Sequence, residues 1–95
     1  MSAYIIANVT VLDAAQYEIY KKLSSHAMAV HGAEPCVRGG AVEVLEGEWQ
    51  PDRLVVLKFA DLAAAHAFND SPEYAEARRS RQGAATMRMI VVQGT

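Results

Sequence analysis

The sequence predicts an α+β fold, a four-stranded antiparallel sheet with helices on one face. Three observations carry that prediction. Apolar spacing alternates between a period of two and a helical period, in the order strand, helix, strand, strand, helix, strand. Each helical stretch follows an Asp or Ser able to cap it, namely Asp13, Asp61 and Ser71. The chain has 95 residues, room for one domain and one core.

Ala3 to Val11 is the first strand. Ile5, Ala7, Val9 and Val11 fall on one face, and Tyr4, Ile6, Asn8 and Thr10 on the other. Asp13 caps the first helix, and Gln16 stands three residues on, placed to reach back in a capping box. That helix runs to about His31 with a stripe of Tyr20, Leu23, Ala27 and Val30, and Gly32 stops it. Cys36 to Glu46 is the second extended segment. Its Gly39-Gly40 pair reads as a β-bulge, or as a place where something approaches the backbone closely. Gly47 to Asp52 is the turn, and Arg53 to Phe59 the third strand. Asp61 starts a second helix that Pro72 ends near Asp70, and Ser71-Pro72 opens a short third one. Arg78, Arg79 and Arg81 sit at its far end, where cations suit the helix dipole. Thr86 to Gln93 is the last strand. This order is the split βαβ arrangement of the ferredoxin-like fold.

A sheet covered on one side usually turns polar on the other. Here both faces are apolar, because Ile6, Leu54, Val56, Ile90 and Val92 have neighbours as apolar as themselves. A bare apolar face marks an interaction site, and the simplest cover is a second copy related by two-fold symmetry. A homodimer is therefore expected.

Bulk properties narrow the function classes. The composition is 52% hydrophobic and 21% charged, as in a folded globular chain. A formal net charge of -2 lacks the basic footprint of nucleic-acid binders, so no nucleic-acid partner is expected. No apolar run is long enough to span a membrane, and no basic segment precedes an apolar one as in a secretory signal. A single cysteine, Cys36, allows no internal disulfide and fits a reducing, cytoplasmic setting.

Several segments together are similar to one family. They are Val37-Arg38-Gly39-Gly40, Val44-Leu45-Glu46-Gly47-Glu48-Trp49, Arg53-Leu54-Val55-Val56, Ser71-Pro72-Glu73-Tyr74 and Arg81-Gln82-Gly83-Ala84-Ala85. The chain resembles domain-of-unknown-function family 1330, within the dimeric α/β-barrel superfamily. The resemblance covers nearly the whole chain. It implies a ferredoxin-like protomer and a dimer whose sheets face each other, and no particular activity. The wider superfamily includes cofactor-free monooxygenases, a lactone isomerase and haem-dependent enzymes, so the fold alone does not settle function. Two places depart from the family pattern: Glu34-Pro35-Cys36 before Arg38, and Asn69 after Phe68.

The candidate ligand-binding residues are Asn8, Arg38, Glu46, Arg53, Tyr74 and Arg88. Glu46 and Arg53 flank the hairpin turn, where they can pair across strands or leave a guanidinium for a substrate carboxylate. Asn8, Lys58 and Arg88 interrupt apolar strands. On a shared face, with Tyr4 and Thr10, they would set a few polar groups into an apolar cavity, the makeup of a small-molecule site. Tyr17, Tyr20, Tyr74, Met87 and Met89 read as core or interface packing, and Trp49 as an interface anchor. Cys36 reads as a small buried hydrophobe, since no base and orienting group can be placed beside it. His26 and His31 lie about 140° apart around their helix and share no face. No metal site is expected, and no tightly bound cofactor. Haem held by one histidine enters as an alternative through the superfamily likeness alone. The leading expectation is a homodimer that handles a small molecule, between sheet and helices or between protomers. The rival from another class is a non-catalytic assembly module whose apolar face only makes the dimer.

Overall fold

In the computed structural model, which describes all 95 residues, the first strand shows the alternation most clearly. In β1 (Ala3–Val11), Ala3, Ile5, Ala7 and Val9 are buried while Tyr4, Ile6, Asn8 and Thr10 are half-buried. The remaining elements are α1 (Ala14–His31), β2 (Glu34–Arg38), β3 (Arg53–Phe59), α2 (Leu62–Asn69), α3 (Pro72–Ser80) and β4 (Ala85–Gln93). The strands lie in the order β2-β3-β1-β4, and each neighbouring pair is antiparallel. This is the ferredoxin-like βαββαβ arrangement with α3 added before the last strand.

Register sorts the strand residues into two rows. Val9 stands opposite Arg53 and Met87, and Ala7 opposite Val55 and Met89, so these share the helix-covered face. Asn8 stands opposite Leu54 and Arg88, and Ile6 opposite Val56 and Ile90, so these share the bare face. The core lies between the first row and the helices, with Phe59, Phe68, Tyr74 and Val9 nearly free of solvent.

The helix starts follow the sequence reading. Asp13 accepts from the Gln16 amide, Asp61 from the Ala64 amide, and Ser71 from the Tyr74 amide. The capping box at Asp13 is only half made. The Gln16 side chain turns away and donates to the Ser80 carbonyl, which ties α1 to the end of α3. Gly32 ends α1 at φ +67, with its amide on the Met28 carbonyl.

Four readings of the chain are corrected. The buried side of α1 is Tyr17, Tyr20, Ser24, Ala27 and Met28, whereas Val30 is exposed. The buried face is turned about the helix axis, away from Leu23 and Val30 and toward Tyr17, Ser24 and Met28. The second strand is Glu34–Arg38 and not Cys36–Glu46. The glycine pair ends that strand instead of bulging it, and the register shift falls at Cys36, between Pro35 and Val37. Residues 39–52 form a long, mostly exposed connection in which Leu45 is 98% exposed and Trp49 65%. Cys36 is exposed as well, so it is no part of the core.

Candidate functional site: a cleft with a cationic mouth

A cleft runs between α1 and the helix-covered face of the sheet. Its floor is Ile5, Ala7 and Val9 of β1, Val55 and Leu57 of β3, and Met87 and Met89 of β4. Its walls are Tyr17, Tyr20, Ser24 and Met28 of α1, with Phe68 and Tyr74 at the far side. The enclosed space is small, about 30 Å³, and reaches about 460 Å³ only when the open mouth is counted. Twelve of its sixteen lining residues are hydrophobic, so anything it holds must be largely apolar. The polar lining is concentrated at the mouth, where Lys21, Arg38 and Arg53 stand. Outward, the mouth widens into a surface basin that adds Lys22, Ser25 and Glu18.

Register explains why two guanidinium groups meet there. Arg53 opens β3 opposite Val9, and Arg38 closes β2 opposite Val55, so both belong to the helix-facing row. Arg53 lies over the ring of Tyr17, its Cζ 5.6 Å from the centroid. Its Nη2 donates to the Arg38 carbonyl at 3.4 Å. The head passes directly under Gly39, whose φ is +77; a Cβ there would fall 2.5 Å from the Arg53 Cζ. What approaches the bare backbone of Gly39 is therefore a side chain of the same protein. The Arg53 Nε is buried with no hydrogen-bond partner. Arg38 reaches across the mouth, and its Nη2 donates to the Ser25 hydroxyl at 3.0 Å. Lys21 is engaged with Glu18 at 2.8 Å.

Deeper in, the tyrosines form a connected group. Tyr17 stacks on Tyr20 at 5.4 Å, and Phe68 lies 4.8 Å from Tyr74. The Tyr20 and Tyr74 hydroxyls share a hydrogen bond of 2.8 Å. Their other neighbours are sulfurs: Met87 Sδ lies 3.8 Å from the Tyr20 oxygen, and Met89 Sδ 3.7 Å from that of Tyr74. Burial first, then the neighbouring Tyr74, raises Tyr20 far above the ordinary phenol range. This hydroxyl keeps its proton at any working pH. Tyr20 can offer a hydrogen bond to a bound molecule, but it does not supply a base.

Of the sequence candidates, the fold brings Arg38, Arg53 and Tyr74 to this cleft. It places Asn8 and Arg88 opposite each other on the other face of the sheet, with Tyr4, Thr10 and Lys58 in the same row set. Asn8 Oδ1 is buried there without a partner, and Arg88 is exposed. Glu46 joins neither group. It lies exposed in the 39–52 connection and makes no pair with Arg53, whose side chain points to the helix layer instead. The sequence reading missed Tyr17, Tyr20, Lys21 and Ser25 as site residues. The signal was the i, i+3, i+4 spacing of Tyr17, Tyr20 and Lys21, which puts all three on one flank of α1.

The histidines do not converge. His26 and His66 are exposed, and His31 pairs with Glu73 at 2.7 Å, fastening the end of α1 to the start of α3. No group of three or more His, Cys, Asp or Glu side chains stands close enough to hold a metal ion. No helix is long and apolar enough to cross a membrane.

A model of the family described as a domain of unknown function, DUF1330, matches residues 2–95. The chain belongs to the DUF1330 family. No curated protein matches this DUF1330 chain. Among solved structures it is similar to a protein of unknown function from Rhodopseudomonas palustris, at 20% identity and a TM-score of 0.76. That match covers 99% of this chain and 82% of the other. It is also similar to a dimeric ferredoxin-like protein of unknown function from Thermobifida fusca, at 15% identity and a TM-score of 0.65, covering 99% and 92%. A third is SnoaB, a cofactor-independent oxygenase from Streptomyces nogalater, at 15% identity and a TM-score of 0.64, covering 99% and 93%. At these identities the likeness establishes the ferredoxin-like fold of this DUF1330 chain and nothing about its chemistry.

Proposed function

We propose that this protein is a homodimer that binds and handles a small molecule in the cleft between α1 and the sheet. The observation that carries the reading is the pair Arg38 and Arg53 at the mouth of an otherwise apolar cleft. Placed polar groups on an apolar surround are what orient a bound molecule.

The bare face of the sheet supports the pairing. Ile90 is 62% exposed and Val92 44%, beside half-buried Ile6, Leu54 and Val56. Such a patch on a 95-residue chain needs a cover, and a second copy supplies one by symmetry. The unpartnered Asn8 Oδ1 lies on the same face, where a partner's donor can reach it. The dimeric neighbour from Thermobifida fusca favours the same assembly. The exposed single thiol of Cys36 suits a reducing, cytoplasmic setting. The proposed handling draws on the chain's own side chains, with no tightly bound cofactor. Likeness to the cofactor-independent oxygenase makes turnover of that kind the first activity to assay.

Native mass spectrometry of the protein as purified tests the pairing: a dimer mass supports it, and a monomer overturns it. Amide NMR shifts on adding benzyl alcohol, a neutral single-ring probe, test the cleft. Shifts confined to residues such as Tyr20, Val55 and Met87 support the site, and shifts confined to the bare face overturn it.

A further inference from the structure

The mouth of the cleft carries charge information that the apolar interior does not. The basin holds Lys21, Lys22, Arg38 and Arg53 against a single carboxylate, Glu18, and Glu18 is already paired with Lys21. Neither guanidinium has a carboxylate partner. Arg38 bonds only a serine hydroxyl, and Arg53 a backbone carbonyl at the long distance of 3.4 Å. Arg53 has been taken partly out of water with its Nε unpartnered, which is unfavourable unless something compensates the charge. Yet its head is not free to swing away, since it lies between the Tyr17 ring and the Gly39 backbone. In this chain of net charge -2, the local excess of cations runs against the overall balance.

Resting on the cleft as the ligand site, we propose that its ligand is a single-ring aromatic carboxylate whose carboxylate is gripped by Arg53 and Arg38. A guanidinium presents parallel N–H groups that match the two oxygens of a carboxylate. The interior next to that grip is aromatic and thioether, from Tyr17, Tyr20, Met87 and Met89, and takes a flat apolar ring. The enclosed space is about 30 Å³, so the body is at most one ring, seated as the flexible Met87 and Met89 side chains give way. A free inorganic anion would use the mouth and leave the interior unused. A neutral ring would fill the interior and leave both guanidinium groups uncompensated.

The test is titration of the dimer with benzoate, its near-isosteric neutral amide benzamide, and inorganic phosphate, followed by calorimetry and amide NMR. Benzoate is expected to bind at least tenfold more tightly than either, with shifts along the cleft and an affinity that falls with salt. Arg53→Gln and Arg38→Gln are each expected to weaken benzoate at least fivefold while leaving benzamide within twofold. Arg38 is exposed, so Arg38→Gln keeps the test alive even where Arg53→Gln lowers the melting temperature too far. Equal binding of benzoate and benzamide in the cleft would overturn the anion proposal and leave the cleft standing as a binding site. Phosphate binding as tight as benzoate would overturn the aromatic body. Binding of none of the three, or shifts on the bare face only, would remove the site itself.

Discussion

The two faces of the sheet are built from strands of nearly equal hydropathy, yet they have opposite fates. On one, Ile5, Val9, Leu57 and Phe59 lie under the helices and are almost free of solvent. On the other, one residue along each strand, Ile90 and Val92 stand open. Arginines sit on both: Arg53 on the covered face, held over Tyr17, and Arg88 on the bare face, exposed. The difference teaches that a residue's burial here is set by which face the helices choose, and not by its own character. The covered face works within one chain, as core and as cleft. The bare face has no cover within the chain.

The largest effect expected from testing this contrast is in the helix layer. Phe68→Ala removes a ring packed 5.3 Å from Phe59 and 4.8 Å from Tyr74. It is expected to destabilise the fold by about 3–5 kcal/mol in chemical denaturation. Ile90→Ala on the bare face should change the stability of the dissociated chain by less than about 0.5 kcal/mol. Equal losses would erase the distinction between the faces.

Adjacent positions give the next test. Val91 packs against the core while Ile90 does not. Val91→Asp is expected to cost the fold about 3 kcal/mol or more, by setting an unpaired carboxylate against apolar neighbours. Ile90→Asp should leave the melting of the separated chain nearly unchanged and abolish the dimer in light scattering. A dimer that survives Ile90→Asp would mean that this face is not the contact.

The glycine pair sharpens the picture at the cleft mouth. Gly39→Ala places a side chain at φ +77 and against the Arg53 head, an expected loss of about 1–2 kcal/mol, with weaker benzoate binding. Gly40 meets nothing within 4 Å, so Gly40→Ala should stay within about 0.5 kcal/mol.

The smallest effect at neutral pH concerns Tyr20. Its folded-state proton is held more tightly than in the unfolded chain, where a tyrosine titrates near 10.0. The resulting stability is fully present below that pH. It declines as pH rises above 10.0, because the unfolded state then releases a proton that the folded state keeps. The decline contributed by this one group approaches about 1.4 kcal/mol per pH unit. Tyr20→Phe should therefore show a shallower loss of stability in urea melts taken between neutral and strongly alkaline pH.

Much of the fold was legible in the chain. Asp13, Asp61 and Ser71 cap helices as their chemistry requires, and Gly32 stops the first one, because caps and stops are decided by neighbouring backbone groups. The period of two in β1 placed Asn8 away from Val9 for the same local reason. The second strand was read too long because Val42 and Val44 continue an apolar pattern beyond Gly40. Pattern alone does not reveal that no neighbouring strand is there to pair with them.

The sequence by itself therefore determined the element order, the helix ends, the family and the two-row sorting of the strands. Each rests on interactions between residues close along the chain, or on periodicity. Only the tertiary structure decided that Arg53 turns to Tyr17 and not to Glu46, that Arg38 spans to Ser25, and that the Tyr20 and Tyr74 hydroxyls share a hydrogen bond. Those contacts join residues 13 to 54 positions apart, and they depend on strand register and on the seat of α1. Register is fixed by the summed packing of a whole face, so no single residue announces it.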